Sequence, residues 1–158
     1  MSEQYLIILL ESLKKKDSVL GEILRISQRQ NVILSSVPVD FEEFDRCVDD
    51  KDICIEQIVK LDAGFETLYQ NVGIELREQK HKYASEIKEL QKWIQAVTEK
   101  SVSIEALEKR NKALVEETLQ KRRREMGDGK RSVKAAMTYY RNMNYTNVVS
   151  PQYMDKKK

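Results

Sequence analysis

Apolar residues recur along this chain at alternating spacings of three and four. In the first segment Leu6, Leu9, Leu10, Leu13, Leu20, Ile23, Leu24 and Leu34 follow that rhythm after Ser2, a residue suited to cap a helix. The stripe is interrupted by Lys14, Lys15, Lys16 and Asp17. The segment SSVPVD should end this helix, because Val37 precedes Pro38 and is pushed out of helical geometry. Asp40, with Glu43 three residues on, then reads as a capping box that starts a second helix.

From Phe41 the same count lands on Phe44, Val48, Ile55, Ile58, Phe65, Tyr69, Val72, Leu76, Tyr83, Leu90, Trp93, Val97, Ile104, Leu107 and Leu114, and misses at Lys51, Asp62, Gln79, Glu86, Lys100 and Asn111. A heptad this long is the seam of helices packed side by side. One unbroken helix would need a second chain to cover that seam, so a hairpin is the alternative. REQKHK, Arg77 to Lys82, carries no apolar residue and follows Asn71 and Gly73. The reversal is therefore placed within 71–82, with 98–101 as a second candidate. Pieces of roughly 35, 33 and 45 residues then make an antiparallel three-helix bundle whose long third helix overhangs the other two. Beyond Met126 the GDG at Gly127–Gly129 breaks the helix, and SVKAAMTYYRNM reads as a short amphipathic helix through Val133, Ala136, Met137, Tyr140 and Met143, followed by a flexible tail. The expected division is a helical bundle over 1–126 and a basic, tyrosine-rich region over 127–158.

Composition supports an all-α class: the 158 residues hold only 5 Gly and 2 Pro, too few for the many turns of a sheet protein. No stretch approaches the roughly 20 apolar residues that span a bilayer, and YLIILL lacks the flanks of a signal peptide. Cys47 and Cys54 lie seven apart, about 10 Å along a helix, so they are expected as free thiols in a reducing compartment. The net charge of +2 conceals a division: Lys121–Lys158 carries 11 basic and 3 acidic residues, whereas Met1–Gln120 carries 17 basic and 23 acidic.

No constellation for catalysis is visible, and no cofactor or metal site is expected. The one histidine, His81, falls in the most polar segment, and Asp49–Asp50 reads as a solvated surface pair. What remains is surface for other proteins. If the third helix overhangs its neighbours, Ile104, Leu107, Leu114, Val115 and Leu119 form an uncovered stripe on which a partner helix could dock; packing within the chain or in a homo-oligomer is the alternative. Lys121–Arg124 reads as cations opposing the helix dipole, or as a patch for nucleic acid, which is not the expected partner. The tail tyrosines, as amphipathic, rigid side chains, suit a pocket on a partner; the alternative is that the short helix over 132–143 folds back on the bundle through Tyr140 and Met143.

The order of a helical hairpin, a long helix containing SVSIEALEKRNKAL, then KRSVKAAMTYYRNM and a terminal SPQYMDKKK resembles the FlgN-like flagellar export chaperones. The resemblance covers essentially the whole chain. It implies a cytoplasmic protein, transiently at the inner face of the membrane, that binds the C-terminal helices of hook–filament junction (hook-associated) proteins. Such a chaperone prevents their premature association and delivers them to the export gate. It further implies cargo binding on the last part of the long helix, about Ile104 to Leu119. Export-gate docking would involve a tyrosine of the C-terminal region, with Tyr139, Tyr140 and Tyr153 as candidates. A coiled-coil oligomer without cargo remains the alternative.

Overall fold

A computed structural model describes residues 2–126 and 139–140. Three helices, α1 (Ser2–Leu34), α2 (Phe41–Glu78) and α3 (Ala84–Met126), account for the described chain apart from the connections and the Tyr139–Tyr140 pair, which is itself helical. They run 33, 38 and 43 residues, and α1 packs directly on both of the others. Among the described residues there is no strand, and no helix is long and apolar enough to cross a membrane.

The connections form where the sequence places them. Asp40, in extended backbone, accepts a hydrogen bond from the Glu43 amide at 3.1 Å and caps α2. The Glu43 carboxylate, expected to complete a capping box, is taken by the guanidinium groups of Arg46 at 2.6 Å and Arg29 at 3.6 Å. The reversal between α2 and α3 is a turn over 79–83, where the amides of Gln79 and Tyr83 bond back to the carbonyls of Glu75 and Gln79. Residues 98–101 are helical, so the second candidate for the reversal is excluded. His81 is exposed in that turn.

The interior is built from two apolar clusters separated by charge. At the turn end, Leu6, Leu9 and Leu13 of α1 meet Phe65, Tyr69, Val72 and Leu76 of α2 and Tyr83, Leu90 and Ile94 around α3. In the other half, Leu20, Ile23 and Leu34 meet Phe41, Phe44 and Ile58, with Val97, Ile104 and Val115. Between them lie two cross-helix ion pairs, Lys16–Asp62 and Lys100–Asp17, each at 2.6 Å. Burial pushes the Lys16 ammonium below its ordinary value, while the Asp62 carboxylate pulls it back up. Cys47 and Cys54 are free and buried, and burial pushes both thiols up, away from reactivity.

This packing corrects the expectation of an overhanging third helix. α1 lies parallel to α3, and its second half reaches the level of Val115, so Ile104 and Val115 are fully buried and Leu107 retains 8% exposure. The stripe is covered within the chain over most of its length.

One helix position carries a removable cost. Gly64 sits exposed in the middle of α2, and a Cβ added there meets nothing within 4 Å. Gly64→Ala is expected to stabilise the chain by about 0.5–1 kcal/mol, because alanine gives up less backbone freedom on folding. A urea titration followed by helical circular dichroism reads this directly, and a loss of stability would show that this stretch of α2 is packed against something.

Candidate functional site

At the end of the bundle away from the α2–α3 turn, the link between α1 and α2 stands off the flank of α3. It leaves a cleft of about 360 Å³ lined by Leu34, Val37, Val39, Leu114, Lys121 and Arg122, among others. The walls are mainly apolar, and Val37 at the rim is 91% exposed. Arg122 is held with its guanidinium 4.9 Å above the ring of Phe41, and its Nη1 is buried with no hydrogen-bond partner among the described residues. A guanidinium fixed by stacking at the edge of an apolar cleft is suited to a carboxylate carried next to an apolar side chain. Glu117 also lines the cleft, so its cationic character is local to Lys121 and Arg122.

The sequence-derived residues divide on this geometry. Leu114 lines the cleft and is half-buried; Leu119, one turn beyond Val115, is half-buried against the same cluster. Ile104 and Val115 lie in the core cluster that α3 shares with α1 and α2, and Leu107 is buried as well. Val37, Val39 and Arg122 were missed as a site. In the sequence the first two belong to a helix stop, and Arg122 is one charge in a basic run.

A second feature is the seat of the tyrosines. Tyr140 keeps 2% of its exposure, with its ring 6.2 Å from Phe44 and 5.0 Å, edge-on, from Tyr139. The Lys51 ammonium lies 4.9 Å from the Tyr139 ring and 5.8 Å from that of Tyr140. That ammonium is fully buried, pairs with Glu108 of α3, and donates to Ser27 Oγ of α1 at 3.3 Å. Ser27 Oγ also donates to Glu108, and Asn111 Nδ2 donates to the Ser27 carbonyl at 2.9 Å. Of the two readings of the tail, the fold-back through Tyr140 is the one the structure takes: the bundle supplies an aromatic neighbour and a cation, and burying a ring there is favourable. Tyr153, Met143, the GDG break and the rest of the expected C-terminal helix and tail lie outside the described residues.

Against known families, residues 1–147 match the family model described as FlgN protein. The chain belongs to the FlgN family. FlgN proteins are flagellar export chaperones, a chaperone family rather than an enzyme family, and they bind flagellar hook-associated proteins. No match is found among curated proteins or among solved structures. The three-helix fold places the FlgN match on an all-α bundle, as the sequence pattern predicts.

Proposed function

We propose that this FlgN-family chain holds the C-terminal helical segment of a hook–filament junction protein in the cytoplasm, keeps it from associating early, and delivers it to the export gate at the membrane. The family supports the general role, and the cleft beside Leu114 supports the place. It is an apolar recess on the last part of α3, with Leu119 half-buried on the same stretch of helix and the Arg122 guanidinium among the residues that line it. In this reading Leu114 and Leu119 touch the client, and Ile104, Leu107 and Val115 support them from beneath. Tyr139, Tyr140 and Tyr153 remain the candidates for docking at the gate, the first two after leaving the bundle.

Leu114→Asp with Leu119→Asp is expected to weaken client binding roughly 10- to 100-fold, as loss of two central apolar anchors does, while helicity stays unchanged. Titration against synthetic peptides spanning the C-terminal helices of the host's hook-associated proteins measures this. Undiminished affinity in a folded variant would remove the client from this face. A cargo-free coiled-coil oligomer has less support, because the seam that would seal it is already covered by α1 within one chain.

A further inference from the structure

A tyrosine buried against its own bundle cannot at the same time fill another protein's pocket. Tyr140 is so placed, and its seat is built by all three helices: Phe44 and Lys51 from α2, with Lys51 held by Glu108 from α3 and Ser27 from α1. Two aromatic rings over one dehydrated ammonium is an arrangement in which the ring quadrupoles attract the cation, and the rings in turn keep water from it. From this geometry we infer that the Phe44–Lys51 face is a receptor for a pair of aromatic side chains, that its resting occupant is the chain's own Tyr139–Tyr140, and that docking of these tyrosines on an outside partner requires their release. The inference rests on the proposed docking role of the tyrosines and adds its control.

The consequence is quantitative. A partner that binds only the released form sees its affinity reduced by the released fraction, so that about one chain in ten released means binding about tenfold weaker than the intrinsic value. The seat also adjoins the client cleft. The Arg122 guanidinium, at the cleft, stacks on Phe41; Phe41 meets Phe44 edge-on at 6.5 Å; and Phe44 lies against Tyr140. A client carboxylate that draws Arg122 from Phe41 loosens the first member of this row, which gives cargo loading a route to the release of the tyrosines.

The test uses the full chain labelled with 3-fluorotyrosine, the Tyr140 resonance being assigned by its loss in Tyr140→Phe. In the isolated chain that fluorine is expected to show little shift between H₂O and D₂O; the full shift of a solvated ring would overturn the inference. The second arm measures affinity for the purified cytoplasmic domain of the host's export-gate protein. Phe44→Leu, which trims the seat, is expected to bind it three- to tenfold more tightly than the parent; equal or weaker binding would overturn the latch. If Phe44→Leu does not fold, Lys51→Met with Glu108→Leu removes the cation from the seat, and the same outcomes apply. Tyr139→Ala with Tyr140→Ala separates the two ideas. Loss of gate binding in this variant without a gain in the seat variants refutes the latch alone, whereas retained binding refutes the docking role itself.

Discussion

Lys51→Met alone is expected to destabilise the bundle by about 3–5 kcal/mol, and Glu108→Leu alone by a similar amount, whereas the double variant is expected to be as stable as the parent or more so. Both side chains have no exposure, so the variant that keeps only one leaves a buried charge with no countercharge. Ser27 softens this without cancelling it, since a hydroxyl can bond to either group but neutralises neither. Replacing both by apolar side chains of similar volume removes two desolvation costs at once. Urea unfolding with unchanged slope gives the three values, and additive costs in the double variant would show that the two side chains contribute independently rather than as a pair. A pH dependence accompanies Glu108→Leu. Burial already pushes the Lys51 ammonium down from 10.5, and Glu108 is the main group pulling it back. With Glu108 gone, the folded state should release that proton well before the unfolded chain does. Between the lowered folded value and 10.5 the unfolded state then binds more protons, so stability should rise with pH across that window.

The pair also shows what the sequence pattern did and did not disclose. The heptad count missed at Lys51, Asp62, Lys100 and Asn111, and the α1 stripe broke at Lys16 and Asp17. In the folded chain four of these breaks meet one another, Asp62 with Lys16 and Lys100 with Asp17, while Lys51 meets Glu108 and Asn111 meets Asn31 and the Ser27 carbonyl. Each polar layer matches one register of the three helices and mismatches its neighbours, as a buried polar residue does in a coiled coil. Which break pairs with which is a three-dimensional fact, so a linear count registers only gaps. The same limit explains the shifted seam on α3. The count alternated through Trp93, Lys100, Leu107 and Leu114, while the buried face runs through Ile94, Ser101, Glu108 and Val115. Ser101 and Glu108 are polar residues at core positions, and their polarity concealed the true phase.

The site was legible only in outline. The last part of α3 was chosen for its apolar stripe, yet the accessible piece is its flank, at Leu114 and Leu119, because α1 is long enough to cover the rest. The cleft itself depends on how the α1–α2 link stands off α3, which no periodicity reports. From the sequence, packing of Tyr140 back on the bundle stands only as an alternative, since its partners, Phe44 and Lys51, lie about 90 positions upstream on another helix. Amphipathic spacing could show that Tyr140 shares a face with Val133 and Met137, but not which surface that face meets.

At the opposite end of the molecule, Phe65→Ala is expected to cost about 3–5 kcal/mol of stability, with the melting temperature falling by roughly 10 °C. Phe65 keeps 1% of its exposure and stacks on Tyr69 at 6.1 Å with the rings 8° from parallel. Truncation therefore loses both transfer free energy and ring contact and leaves a void among leucines of α1. Client affinity, measured below the melt, should nonetheless stay within about twofold of the parent, since sites with no shared partners respond independently. The charged layer of Lys16–Asp62 and Lys100–Asp17 lies between this cluster and the one that carries Leu114, Phe44 and Tyr140. A stability loss below about 1 kcal/mol would mean that the turn end of the bundle is not packed around Phe65. A parallel fall in client affinity would mean that the two clusters act as one, and that the cleft is held open by the whole length of the bundle rather than by the half that lines it.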